Sequence, residues 1–100
     1  MFIEEIYLST KQLELCRSRH DFSSRIAGRS KRWLSTIVSQ RQEPSTLSLL
    51  VISKNLTDCA PLFHKRSSKT HVKSIVSRID NEIKNRIDGV VRLSELSEFL

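Results

Sequence analysis

Seven side chains that stay cationic at neutral pH stand between positions 17 and 41: Arg17, Arg19, Arg25, Arg29, Lys31, Arg32 and Arg41. A single acid, Asp21, shares that stretch, leaving a balance of +6 that equals the net charge of the whole chain. The first sixteen residues sum to −2 and the residues after Arg41 to +2. Guanidinium and ammonium groups at this density neutralise phosphates, and Arg or Lys can also bond O6 and N7 of guanine. A dense cationic stretch between near-neutral flanks points to a nucleic acid.

The other residues able to do chemistry form no constellation. His20, His64 and His71 lack partners at ligand spacing and read as surface histidines, not a metal site. Cys16 and Cys59 match no metal spacing and are expected to be free, partly buried thiols. No Ser-His-Asp or Cys-His arrangement and no glycine-rich phosphate loop occurs, and the adjacent His20 and Asp21 are explained by helix capping. No catalytic centre, no metal and no cofactor are therefore expected.

The elements that position the cations follow from periodicity and caps. Ile3, Ile6, Tyr7, Thr10, Leu13 and Cys16 recur at helical spacing, which predicts a first helix over residues 2–16. Ser18 and Asp21 form a capping box opening a second helix to Ala27, with Phe22 and Ile26 on one face. Gly28 stops it, because glycine tolerates the left-handed geometry of a tight turn. Ser30 is expected to cap a third helix over Lys31 to Gln40, with Trp33, Leu34, Ile37 and Val38 inward. Pro44 ends the next connection. Ser45 caps a fourth helix to Leu56, with Leu47, Leu50, Val51 and Leu56 inward. Residues 58–70 lose periodicity and read as a linker, with Leu62 and Phe63 tucked onto the domain. Val72, Ile75, Val76, Ile79, Ile83 and Ile87 then mark a fifth helix stopped by Gly89. Residues 90–100 suggest a short final one.

Composition agrees with an all-α reading. Two glycines and two prolines in 100 residues leave few turns for a many-stranded sheet, and 38% apolar residues fill only a modest core. No apolar run approaches the roughly 18 residues of a membrane span. The opening MFIEEIYL carries acids where a signal peptide carries bases, so a cytoplasmic, nucleoid-associated protein is expected.

The cap Ser18, apolar Phe22, small Ser23, apolar Ile26, turn Gly28, Ser30, apolar Leu34 and Ile37, and the Pro44-Ser45 entry to LSLLVISKNL together carry a resemblance. Over residues 1–57 the chain resembles the lambda-repressor-like (Xre/Cro–CI) helix-turn-helix family of bacterial and phage regulators. The stretch Ala27-Gly28-Arg29-Ser30 is one residue longer than the usual pattern and puts charged Arg29 where an apolar turn residue normally stands. The resemblance implies a four- or five-helix domain whose third helix enters the major groove. Ser30, Lys31, Arg32, Ser35 and Thr36 are then the base-contact residues. Arg19, Arg25, Arg29, Gln40, Arg41 and Ser45 are the phosphate-contact residues.

The stripe Val72, Ile75, Val76, Ile79, Ile83 and Ile87 has two possible uses. It can fold back onto the chain's own domain, or it can pair with a second copy. A single short recognition helix gives little specificity, which favours residues 71–100 as a dimerisation segment. The expected function is sequence-specific binding of double-stranded DNA by a homodimeric repressor on a palindromic operator. The alternatives are an antitoxin-type regulator whose C-terminal segment clasps a toxin, and a helical protein-interaction module without DNA binding.

Overall fold

The computed structural model describes the backbone of residues 2–59 and 66–98 and the side chains of residues 2–59 and 69–89. Every regular element among them is helical. In chain order, α1 is Phe2–Gln12. α2 opens as Arg19–Asp21 and runs on as a π-helical turn over Phe22–Ile26. α3 is Trp33–Ser39, α4 is Thr46–Cys59 and α5 is Arg66–Glu98. The expectation for Leu62 and Phe63 lies outside the described residues.

Helix α1 ends earlier than its apolar spacing predicts. The Leu15 amide donates to the Thr10 carbonyl at 3.2 Å and the Glu14 amide to the Lys11 carbonyl at 2.9 Å, with Glu14 left-handed at φ 61°. These two bonds close the helix in a Schellman motif. The chain turns there and drops Cys16 into the core, with only 3% of its surface exposed. The apolar periodicity thus outlasts the helix, because Leu13, Leu15 and Cys16 pack inward from the turn.

The core is a single cluster drawn from every helix, including Ile3, Ile6, Phe22, Leu34, Leu49, Ile52, Leu56, Val72 and Ile79. Burying each such side chain contributes roughly 1.5–3 kcal/mol. Tyr7 of α1 meets Phe22 of α2 edge to face, with ring centroids 5.6 Å apart and planes at 73°. That arrangement sets the positive ring edge against the negative face.

Helix α4 buries Leu56 as expected but otherwise a different face. Ser48, Leu49, Ile52, Ser53 and Leu56 face in, whereas Leu47 is 68% exposed, Leu50 is 49% exposed and Val51 is half-buried. Hydropathy alone misorients the helix, because two serines on the inner face have their hydroxyls satisfied. Ser53 Oγ donates to Asp80 Oδ1 of α5 at 2.7 Å, and Ser45 Oγ donates to Ser48 Oγ at 2.9 Å. Small hydroxylated residues also suit close approach to α5, which packs along α4 and α1.

Helix α5 corrects two further expectations. It runs 33 residues without a break through Gly89, so the separate final helix merges into it. Gly89 has no positive φ and a Cβ there would meet nothing, so the glycine signals no stop. The apolar stripe also folds back onto its own chain: Val72, Ile75, Ile79 and Ile83 are buried in the single copy, Val76 is half-buried and Ile87 is 52% exposed. The physical reason is that α4 and α1 together offer a matching apolar trough. Polar ties lock the register. Arg78 Nη2 pairs with Glu5 Oε2 at 2.8 Å, and Arg86 Nη1 donates to the Pro44 carbonyl at 2.7 Å.

Gly89→Ala removes backbone freedom from an exposed helical position without meeting any neighbour. It should raise stability by roughly 0.5–1 kcal/mol, read as the urea midpoint. An unchanged or lowered midpoint would contradict a continuous α5 at that position.

Candidate nucleic-acid interface

The basic stretch folds as helix, turn and helix. Ser18 is extended, and its Oγ accepts from the Asp21 amide at 3.2 Å. Asp21 completes the cap one residue further back than a standard box, since its Oδ2 accepts from the Arg17 amide at 2.9 Å. Its other oxygen lies 3.5 Å from Arg25 Nε. The one acid of the stretch is thereby committed to the start of α2.

The turn leaves α2 through an i→i+5 bond from the Ala27 amide to the Phe22 carbonyl at 2.9 Å. The Arg29 amide then reaches the Ser23 carbonyl at 2.8 Å. Gly28 sits left-handed at φ +64°. A Cβ there would touch only Val51 Cγ1 at 3.5 Å, so the backbone angle, not space, selects glycine.

Helix α3 starts two residues later than expected, and Ser30 does not cap it with its side chain. Arg32 occupies the N-cap position with no side-chain bond. Ser30 uses its carbonyl instead, accepting from the Trp33 amide at 3.0 Å. The missing cap comes from across the turn: buried Ser23 Oγ accepts the Leu34 amide at 3.0 Å and donates to the Arg19 carbonyl at 2.7 Å. A serine between the core residues Phe22 and Ile26 was the available sequence signal. Asn55 of α4 adds a second tie, with Nδ2 donating to the Ile26 carbonyl at 2.7 Å.

The candidate contact residues divide accordingly. Ser30, Lys31 and Arg32 are exposed, but they stand on the turn and not in the first turn of α3. Thr36 is exposed on α3 and Ser35 half-buried. Leu34 and Ile37 anchor the helix, with Trp33 and Val38 half-buried beside them. Arg29 adjoins Lys31 and Arg32 on the same turn. Gln40 and Arg41 stand at the far end of α3, and Ser45 caps α4 by accepting the Ser48 amide at 3.1 Å. Arg25 is partly drawn away from solvent partners, because Nη2 donates to the Leu15 carbonyl at 3.0 Å. Among the described residues, Arg19, Arg29, Lys31, Arg32 and Arg41 have no ion-pair partner.

Arg41 is held in a strained backbone state. Its φ is +53°, and it ends α3 in a second Schellman motif, with the Gln42 amide on the Ile37 carbonyl at 2.8 Å and its own amide on Val38 at 3.1 Å. Glycine is the usual residue at such a position.

Burial beside α2 pushes the Cys16 thiol up to about 11, with the Asp21 carboxylate adding to the effect and Arg25 and Lys11 opposing it. At neutral pH the group is a protonated core side chain and not a nucleophile. Among the described residues, no three His, Cys, Asp or Glu side chains gather to hold a metal, and no helix is long and apolar enough to cross a membrane.

Residues 3–95 match the model of DUF6626, a family of unknown function, and the chain belongs to that family. No curated protein and no solved structure matches the chain.

Three measurements follow from this geometry. Ser23→Ala removes the acceptor from a buried amide, so it should cost about 1–3 kcal/mol in urea unfolding, whereas loss of an exposed cap would be milder. Arg41→Gly exchanges a left-handed penalty of about 1–2 kcal/mol for a glycine entropy cost of about 0.5–1 kcal/mol. A net gain of roughly 0.5–1 kcal/mol is expected, and a loss would mean that the arginine side chain holds the turn. For Cys16, the folded state retains its proton between pH 9 and 11 while the unfolded chain releases it. Its stabilising contribution is present below pH 9 and lost as pH rises through 11. The fall in stability over that interval should be shallower in Cys16→Ala than in the unsubstituted protein, and parallel pH profiles would remove the burial argument.

Proposed function

We propose that this member of the DUF6626 family binds double-stranded DNA through the segment from Arg29 to Arg41 and acts as a sequence-specific transcriptional regulator, in the manner of the lambda-repressor-like proteins that it resembles. The observation that carries the reading is the charge at the two ends of α3. Arg29, Lys31 and Arg32 at its start and Arg41 at its end are exposed cations with no carboxylate partner among the described residues. The helix between them is about 10 Å long at 1.5 Å per residue. A major groove about 12 Å wide admits a helix and places phosphates on both sides of it.

In this reading Thr36 and Ser35 face the groove from the helix, while Lys31 and Arg32 reach base edges from the turn. Arg29, Arg41, Gln40, Arg19 and the Ser45 helix start meet phosphates. Two turns of helix read few base pairs. The proposal therefore extends to a homodimer on a two-fold site, through a surface other than the buried Val72, Ile75, Ile79 and Ile83.

Fluorescence anisotropy on a duplex selected from a random pool tests the reading. Phosphates neutralised by Arg19, Arg29 and Arg41 predict roughly a fortyfold loss of affinity between 50 and 200 mM salt. Arg41→Gln should lower the log–log slope by about 0.9 and weaken selected and random duplexes alike. Arg32→Ala should cost about 1–3 kcal/mol on the selected duplex and relax its preference. Absence of binding at 50 mM salt, or affinity indifferent to salt, would reject DNA as the ligand.

A further inference from the structure

Away from the basic segment, α1 with the turn after it and α5 flank a half-open cleft of about 360 Å³ lined by Ser9, Gln12, Leu13, His71, Ser74, Ile75 and Arg78. That volume lies within the roughly 300–1,000 Å³ of small-molecule sites. The lining is built on two facing segments. Positions 71, 74, 75 and 78 follow the i, i+3, i+4, i+7 spacing of one face of α5, while Ser9 and Gln12 come from the end of α1 and Leu13 from the turn that follows it.

The chemistry of the lining is one-sided. Two hydroxyls, one amide, one imidazole and one guanidinium supply hydrogen-bond donors, and no carboxylate lines the space. Leu13 and Ile75 form its apolar wall. Arg78 is held in place at two points. One Nη2 bond goes to Glu5 at 2.8 Å, and the guanidinium carbon stands 5.9 Å from the centre of the Phe2 ring. A guanidinium carries five N–H groups, and among the described residues only the bond to Glu5 engages them.

We propose that this cleft binds a small organic anion, a carboxylate or phosphate group joined to a short apolar body, with the anionic end on Arg78, His71 and Ser74 and the apolar end on Leu13 and Ile75. Glu5 then acts as a competitor, occupying part of the guanidinium from the rim. The site is separate from the basic segment, and its occupancy is measured without DNA.

The test is a titration of the full chain with benzoate and with phenyl phosphate, followed by amide shifts in two-dimensional NMR, with benzyl alcohol as the neutral control. Saturable shifts confined to residues 9–13 and 71–78 are expected for at least one anion and not for the alcohol. The relative affinity of the two anions identifies which anionic group the site takes. Arg78→Gln should weaken the bound anion at least tenfold. Arg78→Lys, which keeps the charge, should weaken it less. Glu5→Gln should tighten it several-fold by releasing the guanidinium. Equal binding of benzyl alcohol would reduce the site to an apolar cleft. Shifts confined to residues 29–41 would assign anion binding to the basic surface. Unchanged affinity in a folded Arg78→Gln protein, judged by its retained amide dispersion, would overturn the proposal, as would weaker binding in Glu5→Gln.

Discussion

The buried hydroxyl of Ser23 ties α2 to the start of α3. Helix α3 begins at Trp33 with no capping side chain of its own, and the three residues before it include Lys31 and Arg32. Such a start leaves amides without partners and gathers like charges at the positive end of a helix dipole, which opposes helix formation. Ser23 relieves the first problem by accepting the Leu34 amide while giving its own proton to the Arg19 carbonyl. A seven-residue helix is too short to persist alone in water. It exists because that bond and the burial of Leu34 and Ile37 fix it to α2 and the core.

The order of elements was legible in the sequence because caps and glycine act locally. Ser18, Ser45 and Gly28 each do in the structure what their positions predict. The interfaces were less legible. Ser30 looks like a cap by position, but the hydroxyl that caps α3 is that of Ser23, eleven residues before the Leu34 amide it accepts, a distance no local pattern encodes. The inner face of α4 was misassigned because leucine at Leu47 and Leu50 outweighs serine at Ser48 and Ser53 on any hydropathy scale, although a serine with a partner is readily buried. Gly89 read as a stop because glycine marks helix ends only when it adopts positive φ, which depends on the following chain and not on glycine itself. For the candidate site, the cations were visible as a cluster, but the boundary that moves Lys31 and Arg32 from helix to turn was not.

The stripe from Val72 to Ile83 shows how a periodic pattern can name a buried face without naming what buries it. An amphipathic helix satisfies its apolar side equally well against its own chain or a copy. Here α1 and α4 bury it within the single copy, and Arg86 reaches back to the Pro44 carbonyl and to Thr46 at the start of α4. At about 50 Å, α5 is nearly as long as the molecule's 53 Å axis. It is thus the rod along which α4 and α1 pack. Ile87 of α5 and the neighbouring Leu50 of α4 face outward beside each other.

The placement of carboxylates separates the two kinds of surface. Where α1, α4 and α5 meet solvent, bases stand beside acids: Arg78 with Glu5, Lys54 with Asp58, Arg86 with Glu82. Exposed pairs of this type contribute only about 0–1 kcal/mol each, so a chain can omit them at little cost to stability. Around α3 they are omitted among the described residues, and the only acid between Arg17 and Arg41 is committed to the start of α2. The cations there repel one another, and Arg41 adds backbone strain at the end of the helix. Neither feature helps the fold, since both oppose it by modest amounts. An anionic partner seated against α3 would relieve the repulsion, and phosphates on either side of a groove supply charge at both ends of the helix at once.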